Sequence, residues 1–172
     1  MMQTIVHNSK PVIAQVHAIA SAAGCQLAAS CDLAVAGESA KFCTPGVHIG
    51  LFCSTPMVAL SRNVPRKQAM EMLLLGEFLP AARVAEFGLI NRCVPRDALE
   101  TTTMDIARII ADKPAAAIKI GKRAFYEQAE MPLEAAYAFA GRVMAENMRA
   151  RDAEAGIGAF TRKEPMPDWT GK

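Results

Sequence analysis

The chain has 172 residues, 52% of them hydrophobic, and its 19 basic and 17 acidic residues leave a formal net charge of +2. This length and composition predict one globular domain with a sizeable core and exclude a disordered or low-complexity protein. The small net charge excludes strong attraction to nucleic acid or to an anionic membrane. No apolar run reaches the roughly 18 residues that a membrane-spanning helix needs, so no such span is expected.

The first part of the chain predicts alternating strands and helices. After Pro11, the segment 12–17 is apolar on both alternating faces, which predicts a strand covered on both sides. A short loop then leads to a predicted helix from Ala23 to Ser30. The following "DLAVAG" predicts a second short strand that ends at Gly37.

The middle of the chain predicts further short elements bounded by Pro and Gly. The segment "AKFCTPG" predicts an extended piece that breaks at Pro45 and Gly46, and "VHIGLFCS" predicts a loop that leads into a helix near Pro56. The elements expected next are a helix from Pro65 to just before Gly76, a helix over 80–87 that Gly88 stops, and a strand in "LINRCV".

Beyond Pro95 the apolar residues recur at helical spacing. Three predicted helices carry apolar stripes over 99–110, 118–125 and 133–148, and Pro114 and Pro132 mark where two of them begin. Stripes of this size need a surface to pack on, so a neighbouring subunit is expected. We therefore predict one continuous domain with a mixed α/β part over 1–95 and a helical part over 96–172.

The stretch "SAAGCQLAASCD" places small residues at a predicted strand-to-helix turn. Small side chains let a ligand approach the backbone, where the free N–H groups of the first helical turn and the helix dipole favour an oxyanion. The alternative is that Ala and Gly only let the helix pack closely on the sheet. The residues of this turn by themselves leave both readings open.

The order of several segments resembles the enoyl-CoA hydratase/isomerase (crotonase) superfamily over nearly the whole chain. These segments are "KPVIAQVHAIASAAGCQLAASCDLAVAGESAKFCTPGVHIGL", "AMEMLLLGEFLPAARVAEFGLINRCVP" and the closing "GIGAFTRK". The resemblance implies an α/β fold, a crotonase/ClpP-like spiral of ββα units, with a helical C-terminal trimerisation region. It also implies a homotrimer or dimer of trimers that binds an acyl-CoA thioester, with no further cofactor and no metal.

The resemblance also implies where a thioester would bind. The family's Gly triplet corresponds to Ala22, Ala23 and Gly24, so the N–H of Ala23 becomes the expected oxyanion donor. A donor of this kind is worth about 3 kcal/mol to a developing enolate. The two added methyl groups are expected to fit the right-handed helical region of backbone space, although they narrow the thioester slot.

The chain departs from the family where hydration chemistry is carried out. The two glutamates that the family uses as acid and base correspond to Gln26 and Gly46. An amide exchanges no proton near neutral pH and glycine has no side chain, whereas losing one positioned acid or base typically removes a factor of about 10²–10⁴ in rate. Weak or absent hydratase activity is therefore expected, and whether the chain is an enzyme of this lyase class stays open.

Other candidate site residues have narrower support. His48 follows Gly46 by two residues, so in an extended segment it would share the face of Gly46 and could act as a base, or it could have a structural or ligand-contacting role. The resemblance implies that the backbone N–H of Ser54 holds a water. It likewise implies that Phe160 and Lys163 reach the adenine and phosphates of CoA, their alternatives being a core aromatic and a surface lysine.

The remaining titratable residues are expected to be structural. His17 is interpreted as a turn or core residue, and Asp32, at the far end of the short helix, as a structural acid. The cysteines show no metal-binding spacing and are interpreted as small buried thiols in a reducing compartment; they are Cys25, Cys31, Cys43, Cys53 and Cys93.

The resemblance leads to three functional hypotheses. The first is an acyl-CoA-binding protein of acyl-CoA or fatty-acid metabolism with weak or no hydratase activity. The second is an active isomerase, thioesterase or decarboxylase of the same fold, and the third is a non-catalytic subunit of a mixed oligomer. Family members have on the order of 90 residues before the "KPVIAQV" strand, so an upstream segment carrying the other oxyanion donor is expected. The implied location is cytoplasmic in a bacterium and mitochondrial in a eukaryote.

Overall fold

The computed structural model describes residues 1–171. The chain forms two compact units, the first made of 1–6 and 12–107 and the second of 7–11 and the chain from Arg108 on. The change to consecutive long helices begins at Leu99. The division into 1–95 and 96–172 stays a prediction.

The mixed α/β part contains six short strands. In chain order its elements are α1 (Met2–His7), β1 (Ile13–Val16), β2 (Ile19–Ser21), α2 (Ala23–Ser30), β3 (Leu33–Gly37), β4 (Lys41–Cys43), a 3₁₀ helix (Pro45–Ile49), α3 (Ser54–Asn63), α4 (Arg66–Leu75), β5 (Leu79–Pro80), α5 (Ala81–Glu86), β6 (Arg92–Val94) and a second 3₁₀ helix (Arg96–Ala98). The helices that follow are α6 (Leu99–Ala111), α7 (Ala115–Gln128), α8 (Leu133–Asn147) and α9 (Arg151–Arg162).

The strands form two three-stranded sheets. The first has the order β1-β3-β6 and is entirely parallel, with Ile13 opposite Leu33 and Val35 opposite Arg92. The second has the order β2-β4-β5, with β2 parallel and β5 antiparallel to β4. The central strand β3 is buried along most of its length, which explains why it is apolar at every position.

The core of the first unit lies where α2, α3 and α4 pack on the sheets. Its largest fully buried side chains include Phe42, Leu60 and Met72. Helix α2 contributes only small buried side chains, Ala28 and Ala29 among them, so it packs closely against α3. The alternative that Ala20, Ala22, Ala23 and Gly24 only let a helix pack closely on the sheet stays a prediction; of these residues Ala20 is buried, whereas Ala23 and Gly24 are exposed.

Several predicted helix ends are confirmed. Gly76 follows α4 with φ 65°, the left-handed conformation that ends many helices. Pro114 and Pro132 stand immediately before α7 and α8 as their N-caps. Proline has no N–H to leave unpaired there, and its fixed φ suits the entry to a helix.

Two predicted segments differ in the structure. The short loop after the first strand contains β2, and the loop predicted in "VHIGLFCS" begins as the 3₁₀ helix Pro45–Ile49. Asp32 has the expected structural role, because its carboxylate accepts the N–H of Val12 at 2.7 Å and so anchors the start of β1. His17 is an exposed residue between β1 and β2, as expected for a turn.

Two kinds of feature are absent from the part of the chain that the structure describes. Over residues 1–171, no helix is both long and apolar enough to cross a membrane. Over the same residues, no three or more His, Cys, Asp or Glu side chains are grouped in a way that could hold a metal ion.

Candidate functional site

The turn between β2 and α2 is a strained strand-to-helix connection. Ala22 stands between the last strand residue and the first helical residue, with φ 46° and ψ −107°. Its N–H donates to the carbonyl of Cys43 at 3.0 Å, which ties the turn to the end of β4. The expectation that the right-handed region would accommodate the added methyl is wrong at Ala22, because this residue has a positive φ, which favours glycine.

The N–H of Ala23 is a free hydrogen-bond donor. It is the first residue of α2, where backbone N–H groups have no partner within the helix. The carbonyl of Ala22 accepts the N–H of Gln26 at 3.0 Å, but no residue that the structure describes accepts the N–H of Ala23. Ala23 is exposed, so a ligand can reach this donor.

A cavity of about 540 Å³ lies beside this turn, within the first unit. Its volume falls within the range of roughly 300–1,000 Å³ that is usual for small-molecule sites. The lining comes from the turn, the 3₁₀ helix Pro45–Ile49, the loop after it and the start of α3; it consists of Ala22, Ala23, Pro45, Gly46, His48, Ile49, Leu51, Phe52, Cys53, Ser54, Thr55 and Pro56. Among the described residues, no Asp, Glu, Lys or Arg lines this cavity.

Gly46 is buried at a point where the backbone folds back on itself. Its carbonyl accepts the N–H of Leu51 at 2.9 Å. A Cβ atom built on Gly46 would lie 2.7 Å from the carbonyl oxygen of Leu51 and 2.9 Å from Sγ of Cys53. Gly46, where the resemblance implies a family glutamate, therefore has no room for a side chain in this arrangement.

His48 is placed by the 3₁₀ helix rather than by an extended segment. The segment is not extended, so the condition under which His48 would share the face of Gly46 is not met; Pro45 favours a helical start, and Gly50, at φ 77°, ends the turn. The imidazole is exposed and lines the cavity. Its Nε2 packs against the turn after α4, 2.9 Å from where a Cβ on Gly76 would stand.

Gln26 and Gly24 are not among the residues that line this cavity. Gln26 follows Ala23 by three residues, which places it on the same side of α2, and its side chain is half-buried. Its amide makes no hydrogen bond with any residue in the described range 1–171. Gly24 lines a second cavity, of about 430 Å³, formed largely by 12–20.

The other predicted site residues lie at the start of α3 and at the end of α9. Ser54 begins α3 and lines the cavity, but its N–H already donates to the carbonyl of Phe52 at 2.7 Å. A water held by this N–H would have to replace that bond. Phe160 and Lys163 belong to the second unit, where both are exposed at the end of α9.

The pKa of Cys25, in the first turn of α2, is raised by burial and by two other cysteines. Burial, and then the thiols of Cys43 and Cys53, raises the pKa of Cys25 to about 12. Cys25 is therefore a neutral thiol at physiological pH and supplies no nucleophile. Cys53 lines the cavity and is half-buried, a position that the sequence analysis did not assign to it.

The apolar part of the cavity was not predicted from the sequence. Ile49, Leu51 and Phe52 surround it from the loop that precedes α3. Their position next to Ser54 in the sequence was the one signal that could have indicated them.

Comparison with known proteins gives consistent matches. A family model described as enoyl-CoA hydratase/isomerase matches residues 1–172. The chain is 45% identical over 170 residues to enoyl-CoA hydratase domain-containing protein 3, mitochondrial, of Mus musculus, covering 99% of this chain and 56% of that protein. It is 32% identical over 165 residues to the 2,3-dehydroadipyl-CoA hydratase of Escherichia coli, covering 95% of this chain and 64% of that protein. The chain thus spans about half to two thirds of the length of these relatives.

Solved structures show the same similarity. The crystal structure of an enoyl-CoA hydratase from Mycobacterium smegmatis matches with a TM-score of 0.95 and 50% identity, covering 97% of this chain and 65% of that one. The crystal structure of human enoyl-CoA hydratase domain-containing protein 3 matches with a TM-score of 0.92 and 46% identity, covering 96% and 66%.

Proposed function

Because the chain belongs to the enoyl-CoA hydratase/isomerase family and has the crotonase fold, we propose that it binds acyl-CoA thioesters in the cavity beside α2. In this proposal the N–H of Ala23 binds the thioester oxygen, and hydration of enoyl thioesters is weak or absent. One observation carries the proposal: this cavity has a free backbone donor and, among the described residues, no carboxylate.

The donor has the features that oxyanion stabilisation needs. Ala23 is the first residue of an eight-residue helix, so the positive end of the helix dipole lies behind its N–H. A thioester carbonyl gains negative charge when its α-carbon loses a proton, and a fixed donor stabilises that enolate by about 3 kcal/mol. Ala23 therefore contributes through its backbone, and its side chain matters because it is small.

Hydration needs an acid and a base, and this site lacks carboxylates at both positions where the resemblance implies them. Gln26 cannot exchange a proton near neutral pH, and Gly46 is enclosed by the backbone of Leu51. Each missing acid or base costs a factor of about 10²–10⁴ in rate. We expect the chain to bind acyl-CoA while turning over crotonyl-CoA at least about a hundredfold more slowly than a hydratase with both carboxylates.

Two measurements test this proposal separately. Calorimetry compares hexanoyl-CoA with S-hexyl-CoA, a thioether of equal chain length that lacks the carbonyl oxygen. A neutral hydrogen bond is worth about 0.5–1.5 kcal/mol, so the thioester should bind about two- to tenfold more tightly. Equal affinities contradict the role of Ala23, and hydration of crotonyl-CoA at the rate of an active hydratase contradicts the loss of proton transfer.

The imidazole of His48 favours a second candidate function. It lines the same cavity, where it can serve as a base for isomerisation, thioester hydrolysis or decarboxylation. A screen of acyl-CoA substrates with wild type and His48→Ala tests this function. Turnover that falls in the variant supports it, and turnover that is equal in both proteins removes His48 from the mechanism.

The helical region suggests further partners. Phe160 and Lys163 are exposed and match a family pattern that reaches the adenine and phosphates of CoA, often from a neighbouring subunit. The exposed apolar stripe of α8 supports a homotrimer or a dimer of trimers. If the chain is instead a non-catalytic subunit of a mixed oligomer, acetyl-CoA shows no saturable binding in calorimetry. The compartment follows the source, mitochondrial in a eukaryote and cytoplasmic in a bacterium.

A further inference from the structure

The thiol of Cys53 lies where a glutamate side chain would begin. Its Sγ packs against Gly46, 2.9 Å from where a Cβ on that glycine would stand. Gly46 is a position at which the resemblance implies a glutamate, so a sulfur atom occupies the space next to it instead of a carboxylate. Cys53 is half-buried and lines the same cavity as Ala23, whose N–H is a free donor. A nucleophile and an oxyanion donor therefore belong to one cavity.

Exposure and hydrogen bonding distinguish Cys53 from the cysteines near it. Cys25 and Cys43 are fully buried, and the thiol of Cys43 donates to the hydroxyl of Ser21 at 3.3 Å. The thiol of Cys53 makes no hydrogen bond with any residue in the range 1–171. Within that range the cysteines also do not group into a site that could hold a metal ion. Cys53 is therefore the member of this group that a ligand in the cavity can reach.

A thiol can add to a conjugated double bond without the carboxylates that water requires. Cysteine is intrinsically a strong nucleophile, and a small fraction of an ordinary free thiol is already thiolate near neutral pH. When a thiolate adds to the β-carbon of an enoyl thioester, negative charge develops on the thioester oxygen. The N–H of Ala23 can stabilise that charge, as it would in the proposed function. The thiol and the backbone donor thus act on opposite ends of the same conjugated group.

We propose that Cys53 is a covalent modification site that adds to the double bond of α,β-unsaturated acyl-CoA thioesters. The S–H bond breaks and its proton leaves to water, Sγ bonds to the β-carbon, and the π electrons of the double bond move toward the thioester oxygen. The enolate then takes one proton from water at its α-carbon. The product is a thioether that retains CoA, and no oxidant or reductant is consumed. The inference rests on the proposed function, because it assumes that the cavity beside Ala23 receives the thioester.

Mass spectrometry of the full chain tests this reaction. Incubation with crotonyl-CoA should add the mass of one whole crotonyl-CoA to each chain, and peptide mapping of the wild type should place that mass on Cys53. Butyryl-CoA has the same chain length without the double bond, so it should add nothing. The addition should be at least about tenfold faster than that of glutathione to crotonyl-CoA at the same pH, because binding holds the thiol beside the β-carbon.

A variant and a competitor test where the reaction takes place. Cys53→Ser replaces the thiol by a hydroxyl of similar shape and should abolish the labelling. The matched control is Cys31→Ser, at a half-buried cysteine that lines the second cavity instead of the first, and it should leave the labelling unchanged. Hexanoyl-CoA has no double bond to react, so it should slow the labelling of the wild type by occupying the same site.

The possible results separate the inference from the proposed function. The inference fails if no adduct forms, or if Cys53→Ser is labelled as fast as the wild type. It also fails if the adduct has lost CoA, which indicates attack on the thioester carbonyl, or if hexanoyl-CoA does not slow the labelling. If hexanoyl-CoA binds no more tightly than free CoA, the proposed acyl site itself is wrong. If it binds more tightly but Cys53 is not labelled, the acyl site stands and only this inference fails.

Discussion

Ala22 holds a backbone conformation that a residue with a Cβ atom rarely adopts. With φ 46° and ψ −107° it stores strain, which typically amounts to about 1–3 kcal/mol at such positions. Glycine relieves that strain but costs about 0.5–1 kcal/mol in backbone entropy. We therefore predict that Ala22→Gly stabilises the fold by about 1 kcal/mol, seen as a higher urea midpoint at an unchanged m-value.

Ala28→Gly is the matched control for this substitution. Ala28 is buried within α2, the helix that Ala22 precedes, so its replacement removes a packed methyl group and introduces a flexible residue into a helix interior. It should lower the urea midpoint. If Ala22→Gly lowers the midpoint as much as Ala28→Gly does, the strain assigned to Ala22 is absent.

A substitution at Gly46 is expected to destabilise the fold, in contrast to Ala22→Gly, because a side chain has no space there. Any Cβ would lie 2.7 Å from the carbonyl oxygen of Leu51, so Gly46→Glu should destabilise the fold by about 1–3 kcal/mol through overpacking. Adding a carboxylate at this position, even together with Gln26→Glu, should therefore not restore crotonyl-CoA hydration. Urea unfolding and the hydration assay measure both effects.

The control for Gly46 is a glycine with open space around it. Gly121 lies within α7, where a built Cβ meets nothing within 4 Å. Gly121→Ala should be neutral or stabilising by up to about 1 kcal/mol, because alanine favours the helix. A stable Gly46→Glu variant with hydratase activity would show that the backbone around Leu51 moves aside easily.

At the scale of elements, periodicity and proline or glycine positions predicted most of the helices. Helix α2 has the predicted bounds, and the helices flanked by Pro114, Pro132 and Gly76 begin or end where these residues indicate. The predicted resemblance to the crotonase superfamily is also confirmed. These features are local, since each depends on the backbone preferences of a few consecutive residues.

The features that the sequence did not predict depend on contacts distant in sequence. Strand β2 has three residues and exists because it pairs with Lys41–Cys43, twenty-two positions further along the chain. The positive φ of Ala22 was not predicted either, because residues with a Cβ atom rarely adopt it. The site could be predicted around Ala23 and Gly46, but Leu51 and Cys53 join it only through the fold of the 3₁₀ helix and its loop.

Helix α9 fixes the chain that follows it through one buried carboxylate. Asp152 is only 4% exposed, and its carboxylate accepts the N–H and hydroxyl of Thr170 at 2.9 and 2.8 Å and the N–H of Gly171 at 2.8 Å. The ring of Trp169 packs over Gly156 on the same helix. These contacts hold the segment after α9 against the helix.

Replacing this carboxylate should release the segment. Asp152→Asn puts an amide donor where Thr170 and Gly171 already donate, so at least one bond is lost and the fold is destabilised by about 2 kcal/mol. Amide hydrogen exchange at Thr170 and Gly171 should become faster. Asp168→Asn, an exposed acid in the same segment, serves as control and should leave exchange unchanged. Unchanged exchange in both variants would contradict the anchoring role.

For the molecule as a whole, the outer face of α8 is the feature most in need of a partner. Leu133, Tyr137, Met144 and Met148 expose 75%, 74%, 61% and 57% of their surface, and their spacing places them on one stripe about 60° wide. No residue of α8 is buried. Contiguous exposed apolar surface of this kind is typical of an interface between chains.

We therefore predict that the chain forms trimers, or pairs of trimers, through this stripe. Light scattering of the wild type should give the mass of three or six chains, and Tyr137→Glu should lower that mass, because a buried unpaired carboxylate opposes association. Ala138→Glu adds the same charge at an exposed position on another side of α8, so it should leave the mass unchanged. A monomeric wild type, or equal dissociation of both variants, would contradict this prediction. The stripe would then bind a different partner or form no interface.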